Sequence, residues 1–435
     1  MNMFFNPKFQ LNNYLPDASL FSFSTYLTAM AIIILAYTIT DPLYRFRLAI
    51  AFISPRVTFG MIAFIGFATL LIDLGTINKW TALGFMRNHV IWQGFFGAWF
   101  LTMILTWIWT VFIRPPIFSK RNYKKFSNLV YHIILRGDEN QLAVIAYELR
   151  NSMEAIVKLA RPVAQNEFNK GGSKHFNEDA GAYAQEFLLM MGSRKLCRHI
   201  VASSTVTAMC LFNAIKKYTK YDLPVGQFSR NILIEGLINK DSILYHEDNA
   251  YYSGIIGHQK PFSRSIYGDY EMVEALTSNR NSLFNIHYEV TGSWNSKQLE
   301  AYCNCVLLTI ESYTKSDSFP RKSMAIAQAI DKIQESCREL YKLNNSPEDG
   351  LSDISSRLRV SVRFINKVID LLDTSSVSLE RNYRKAENFY EQIAELMFEI
   401  ITYAAEIKSP PGMCWSIHYI SIWSTFFYTF HQTSA

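Results

Sequence analysis

The chain has 435 residues, a formal net charge of +6, 49% hydrophobic and 18% charged residues, and a mean hydropathy of +0.02. That hydropathy is high for a soluble protein with so many charged residues, and the mild charge excess comes largely from basic residues beside apolar segments, with no broad basic surface of interleaved aromatics, so direct sequence-specific nucleic-acid binding is not expected. The length leaves room for two or three domains.

The apolar excess sits in the first quarter. Residues 1–20 hold a single basic side chain, Lys8, and no small-residue cleavage site follows the apolar run, so they read as an extracytoplasmic segment and not as a signal peptide. Residues 21–113 read as a membrane anchor with spans at about 21–40, 57–77 and 90–113. Phe21–Thr40 and Val90–Ile113 contain no Asp, Glu, Lys or Arg, and each is long enough to cross ~30 Å of hydrocarbon at ~1.5 Å per residue. Asp41-Pro42 ends the first, because proline disfavours helix at the residue before it. Asp73 follows the second, and Arg114-Pro115-Pro116 stops the third. Trp92 and the Trp107/Trp109 pair lie near opposite ends of the third, where amphipathic rings favour the interface. The loop Asp41–Arg56 carries three arginines, and Arg114, Lys120, Arg121, Lys124 and Lys125 follow the last span. The positive-inside rule then puts the N-terminus outside and the remainder in the cytoplasm, at the inner (plasma) membrane. The alternative is two spans with the first segment in the interface. Asp73, His89 and Gln93 read as interface residues before a relay, and Gly94/Ala98 forms a small-xxx-small pair that permits self-association.

Residues 114–136 form a basic juxtamembrane amphipathic helix. Its apolar face, Tyr123, Phe126, Val130, Ile133 and Ile134, is expected to rest against headgroups, and Arg114, Lys120, Arg121, Lys124 and Lys125 are the candidate membrane-surface contacts. Gly137 caps its C-terminus and Asp138 the next N-terminus. A helix then carries Leu142, Ile145, Leu149, Ile156 and Leu159 as far as Pro162, and Asn166–Asn177 reads as a loop. Helices follow over Glu178–Met191 and Ser193–Tyr218. The cytoplasmic part, 137–435, is therefore a helical domain. Its irregular insert, 221–294, is rich in glycine, tyrosine and serine, with Ile243–His246 and Phe284–Val290 as candidate short strands.

Heptad-like steps mark residues 320–408. Ile326, Ile330, Ile333, Cys337 and Leu340 make one helix; Ser346-Pro347 caps the next, with Leu358, Val362, Ile365, Ile369 and Leu372. A third runs from Leu379 through Tyr390, Ile393, Met397 and Ile400 to Ile407. The short joining loop, Asp373–Ser378, predicts that the last two form an antiparallel hairpin. They carry two charge ladders, Arg359/Arg363/Lys367 and Glu387/Glu391/Glu395/Glu399, which are either a solvated face or a partner-docking stripe. The aromatic tail, 413–430, reads as a buried or membrane-resting helix, with a fourth span as the alternative.

The fold class is thus mainly α, transmembrane helices followed by a cytoplasmic α-helical domain with long antiparallel helices. No P-loop, GxGxxG, GxSxG, kinase set or HExxH is present. His287-Tyr288-Glu289 with Cys303-Asn304-Cys305 lacks the second half of a zinc deaminase site. His246, Glu247, Asp248 and His258 have the chemistry of a hard-metal site but read more simply as loop residues. The other cysteines, Cys197, Cys210, Cys337 and Cys414, follow no framework spacing and read as thiols. No cofactor, metal or catalytic residue is assigned.

The layout points to a membrane-anchored, non-enzymatic sensor or effector. Its partners are the lipid bilayer, a cytoplasmic protein or ribonucleoprotein, and a second copy of itself. By layout alone it is similar to membrane effectors of bacterial anti-phage systems, retron-associated or of the abortive-infection kind. The alternatives are a membrane-tethered enzyme with a metal-dependent site in 221–294, and a scaffold recruiting a soluble partner.

Overall fold

The computed structural model describes residues 22–39, 41–51, 55–77, 89–161, 179–247, 260–344, 353–374 and 388–427. The chain divides into two compact units, Met1–Pro116 and Ile117–Ala435. Both are helical. Among the described residues no strand forms, and the one extended pairing is an isolated bridge between Arg321 and Asn388.

The first unit contains α1 (Phe23–Ile39), α2 (Pro42–Ile50), α3 (Pro55–Ile77) and α4 (His89–Ile108), the last continuing as a π-helical turn over Trp109–Ile113. Two polar clamps fix how they run. At one end the Asp73 carboxylate accepts the Phe23 N–H, at the start of α1, and the Gln93 side-chain amide, near the start of α4, each at 3.0 Å. At the other end Arg47 of α2 donates to the Val111 carbonyl in the π turn at 3.1 Å, with Tyr44 against Phe112 at 4.6 Å between ring centroids. α3 therefore runs antiparallel to α1 and α4. Tyr26, Ile62, Ile65, Phe96 and Phe100 make the core between them. The Tyr26 hydroxyl donates to the Ile62 carbonyl at 2.9 Å.

Two helices, over Val57–Leu74 and Ile91–Ile113, are long and apolar enough to cross a membrane. The expected third falls short of that standard: α1 has 17 described helical residues, below the ~20 that a hydrocarbon core asks of a span. The expected loop Asp41–Arg56 is largely helical instead. The Asp41 side chain accepts the Leu43 N–H at 3.1 Å and Pro42 takes the first helical position, so the pair that ends α1 also starts α2.

The second unit opens with α5 (Tyr123–Arg136), α6 (Glu139–Leu149), α7 (Met153–Leu159), α8 (Ala180–Met191), α9 (Arg194–Ser203), α10 (Thr205–Tyr218) and α11 (Gly226–Ile238). Gly137 ends α5 and Asp138 caps α6, accepting from Gln141 N at 2.7 Å, as their residue types predict. The helix expected to reach Pro162 is broken before Met153, where the buried Ser152 hydroxyl accepts the Phe118 N–H at 3.1 Å. Ser193–Tyr218 is likewise split at Ser204. The loop at Asn166–Asn177 lies outside the described residues.

The middle is helical, not β: α12 (Ile243–Glu247), α13 (Pro261–Tyr267), α14 (Tyr270–Ser278) and the single turn α15 (Tyr288–Thr291). Neither expected strand forms. Ile243–Glu247 is a helix whose last residue is tied to the start of α13. Phe284 and Ile286 are buried in irregular chain, Phe284 stacking on Tyr267 at 5.4 Å and meeting Tyr302 edge-on at 5.9 Å. Their apolar character serves helix packing, and among the described residues there is no sheet edge to pair with.

The remainder is α16 (Ser296–Tyr313), α17 (Met324–Cys337, continuing as a 3-10 helix over Arg338–Leu343), α18 (Asp353–Thr374), α19 (Phe389–Ala405) and α20 (Pro411–Trp415, continuing as a π-helix over Ser416–Phe427). Of the predicted core positions, Ile326, Ile330, Ile333, Cys337, Leu340, Leu358, Val362, Ile365, Ile393, Ile400 and Ile407 are buried, whereas Ile369, Leu372, Tyr390 and Met397 are half-buried. The hairpin of α18 and α19 is a secondary contact. α19 packs chiefly along α17, and α18 packs chiefly on α16. The Phe389 N–H donates to the Pro320 carbonyl at 3.1 Å, just ahead of α17, and the Asn344 side chain past its end takes the Lys408 N–H at 2.7 Å. α19 therefore runs parallel to α17. The Ser346-Pro347 cap and positions 379–386 lie outside the described residues.

Two outcomes follow from this packing. A Cβ on Gly66 would lie 2.3 Å from the Tyr26 ring, whereas one on Gly94 would meet nothing within 4 Å. Gly66→Ala should therefore destabilise the first unit by ~1–3 kcal/mol through overpacking, and Gly94→Ala should be neutral; thermal melts of the detergent-solubilised protein separate them. In the second unit, Asp269 caps α14 through the Met272 N–H at 3.0 Å and pairs with Lys216 at 2.5 Å. Burial opposes its charged form, but the Lys216 and Met272 hydrogen bonds outweigh it and hold the carboxyl below its ordinary value. A depressed carboxyl contributes stability above its unfolded pKa, about 3.9, that is lost as pH falls through the folded value. Asp269→Asn should lower the melting temperature at neutral pH and make the loss below about pH 4 shallower.

Candidate functional site: the basic collar and the charged helix faces

The collar residues divide between the two units. Arg114 closes the π turn in the first, its N–H donating to the Trp109 carbonyl at 2.9 Å, and its side chain is exposed. Lys120, Arg121, Lys124 and Lys125 are exposed on the second. Their turn is built by Asn122, whose side-chain oxygen accepts Ser119 N at 2.9 Å and Ser119 Oγ at 3.0 Å while its amide donates to the Ile117 carbonyl at 2.9 Å. Phe118 plugs the turn into the core against Phe126 and Phe187, at 5.5 and 6.2 Å.

This packing corrects the expected pose of α5. The face carrying Phe126, Val130 and Ile134 is buried within the unit, with Tyr123 edge-on to Tyr183 at 5.0 Å, so it is not free to lie on headgroups. The outward face steps through Lys124, Asn128, Tyr131 and Leu135, of which Tyr131 is 47% and Leu135 54% exposed. Ile117, beside the turn, is also exposed. A basic end followed by an aromatic and an aliphatic side chain is a composition suited to an anionic interface.

The charge ladders are not open stripes. Arg363 donates to Glu300 at 2.9 Å; Arg359 is half-buried, with its Nε lacking an acceptor; Lys367 is exposed. Glu391 is the reciprocal partner of Asn388 in a capping box, accepting Asn388 N at 3.2 Å and donating its own N–H to Asn388 Oδ1 at 2.9 Å. Glu395 is exposed, Glu399 half-buried, and Glu387 lies outside the described residues. Among the described ladder residues, Lys367 and Glu395 keep the exposure a docking stripe requires without a structural duty shown for them.

The insert commits Glu247, the described acidic residue of the candidate metal cluster, to a helix cap. Both carboxylate oxygens of the buried Glu247 cap α13, accepting Phe262 N at 2.7 Å, Ser263 N at 3.0 Å and Ser263 Oγ at 2.6 Å. His246 is exposed, and Asp248 and His258 lie outside the described residues. Cys303 and Cys305 are buried in α16 while His287 is exposed, so the deaminase-like pieces do not converge; burial pushes the Cys303 thiol far above its ordinary value. Among the described residues no three His, Cys, Asp or Glu side chains are grouped to hold a metal.

A cleft of about 640 Å³ does open between α11, α12, α16 and the start of α18, with Lys240, Lys297, Glu300 and Asp353 on its walls. Asp353 accepts the Ser296 N–H at 2.9 Å, and Tyr245, its phenol pushed up to about 12 by burial, donates to the Leu237 carbonyl at 2.5 Å. Its polar groups are thus largely spent on the fold.

Sequence reasoning missed Asn122, which holds the collar, because an asparagine one residue ahead of a helix reads as an ordinary cap. Asn122→Ala should raise amide exchange at Ser119 and leave α8 protected, as measured by hydrogen exchange on the full chain in detergent. No family model, no curated protein and no solved structure matches the chain.

Proposed function

We propose that the chain is a membrane-anchored, non-enzymatic sensor and effector: α1, α3 and α4 cross the inner membrane with the N-terminus outside, and the second unit reads a cytoplasmic protein or ribonucleoprotein partner. The carrying observation is the inverted burial of the first unit. Only 22% of Val57–Leu74 and 17% of Ile91–Ile113 is buried, and Phe64, Phe67, Ile91, Phe95, Leu101 and Leu105 face outward. A core helix of a soluble protein would be mostly enclosed, whereas lipid solvates such a surface. The Asp73 clamp supports α1 as a third span, since it sets the start of α1 beside the end of α3. The Arg47 clamp puts the arginine-bearing α2 at the Val111 end of α4, next to which Arg114 follows in sequence, so the positive side chains gather at one end.

The layout of a compact anchor and a sensing domain supports an effector of the anti-phage kind, in which a trigger loosens the anchor and compromises the membrane. The metal-enzyme reading is less supported, because Glu247 is committed to α13. Strong induction of the full chain should depolarise the membrane, read with a potential-sensitive dye, and a chain lacking the residues before Arg114 should not. Retained potential under strong induction, with and without phage challenge, counts against the reading.

A further inference from the structure

We infer that the C-terminal aromatic helix is a second membrane contact, seating Trp415, Tyr419 and Trp423 in the headgroup region of the bilayer. The inference rests on the proposed membrane anchoring and adds a lipid surface to the second unit at a place distant in sequence from the collar.

The helix has two faces of different character. Met413, Ile417, Ser421, Ile422 and Phe426 are buried, and the segment packs on α18 and α19. Trp415, Tyr419 and Trp423 lie on the other face, 58%, 51% and 56% exposed, with Trp415 and Tyr419 stacked at 5.3 Å. Leaving rings of that size in water costs hydrophobic free energy, and a contiguous row of them marks a contact surface.

The chemistry of the row chooses its occupant. From Ser409 to Ala435 the sequence contains no Asp, Glu, Lys or Arg. A protein-binding patch built on Trp and Tyr is ringed by polar and charged side chains that fix its register, and this segment supplies no charge for that purpose. Tryptophan and tyrosine, apolar in the ring and polar at one atom, are the side chains that concentrate at the membrane–water boundary. Attachment to spans in the same chain then confines the second unit to the neighbourhood of the bilayer, so a contact too weak to recruit a free protein is occupied at the effective concentration of a tethered one.

The test uses the full chain with Cys210 and Cys414 replaced by serine, leaving the buried thiols in place, and reconstituted at one copy per nanodisc of phosphatidylcholine and phosphatidylglycerol. A nitroxide is attached at Tyr419→Cys or Trp423→Cys, and at Lys315→Cys as a solvent reference, because Lys315 is 71% exposed. Collision with oxygen is compared with collision with a water-soluble nickel chelate. The expected result is a shift toward oxygen at 419 and 423 relative to 315, placing both at interfacial depth. Two results overturn the inference: chelate accessibility equal to that at 315, which leaves the row in water, and protection from both agents, which means protein covers it. If protection appears only at two copies per disc, the covering protein is a second copy. Sedimentation of the same chain with alkaline-washed membranes reads the anchor alone, so failure of the anchoring and failure of the aromatic contact are told apart. Melts of the labelled variants check the fold, which these exposed positions should leave unchanged.

Discussion

A chain built from many short helices has a recurring debt in hydrogen bonds: each helix leaves four N–H and four C=O groups without intrahelical partners. Here much of it is met by side chains far away in sequence. Asp73 takes the first N–H of α1; Glu247 takes two from α13; Glu274 takes Met324 N at 3.0 Å and Ala325 N at 3.1 Å at the start of α17; Asp353 takes Ser296 N at the start of α16. In each case an anion lies at the positive end of a helix dipole. Lys220 does the converse, giving its ammonium to the carbonyls of Val157, Lys158 and Ala160 at 2.7–3.0 Å where α7 ends, while burial pulls its amine below the ordinary value. These bonds are local in space and long in sequence, so they define which helix end meets which neighbour. With no strand ladder among the described residues to set a register, they set it.

The same device has different consequences in the two units. In the second, capped ends let a largely apolar interior close: Val130, Ile145, Ile200, Leu211, Val306 and Ile326 are all buried, with buried polar groups such as Glu247 and Ser152 among them. The first has a thin core of a few large side chains and a wide apolar exterior. There Asp73 and Gln93 are the polar groups that join three helices at one end, and Gln93 keeps a buried oxygen without a donor. In a hydrocarbon surrounding, where water cannot compete, such a clamp is worth more than on a soluble surface, and its members are costly to leave unpaired. Asp73 thus ties the end of α3 to the starts of α1 and α4.

What was legible in the sequence was whatever one helix settles alone. The 3–4 steps of Ile326 to Leu340 and Leu358 to Ile365 read through to burial, and Asp138 and Gly137 act within a turn of their own position. The tertiary ties were not legible. Glu247 beside His246 resembles half a metal site until α13 is seen standing on it, and Glu391 resembles a rung of a docking ladder until its N–H and carboxylate are found engaged with Asn388. The hairpin partners do touch, but a short connection cannot say which neighbour each helix packs on most, and α19 lies chiefly along α17 while α18 lies chiefly on α16. The insert was misread because glycine and tyrosine content signals turns without saying whether the pieces between them are helices or strands.

The tail shows how the interior dictates an exterior. α18 is buried on more than its heptad line: Val360, Phe364 and Val368 are enclosed as well as Leu358, Val362 and Ile365. An α-helix with 3.6 residues per turn would spread the tail's buried positions, Met413, Ile417, Ile422 and Phe426, around its axis. The π-helical winding over Ser416–Phe427 bonds each residue to one five away, so each turn holds more residues and these positions stay on one side. Trp415, Tyr419 and Trp423 share nearly the same spacing from a different starting point, so the winding that aligns the buried row aligns them too. The exposed aromatic row is thus a geometric consequence of covering α18, and its composition, not its alignment, is what calls for a partner.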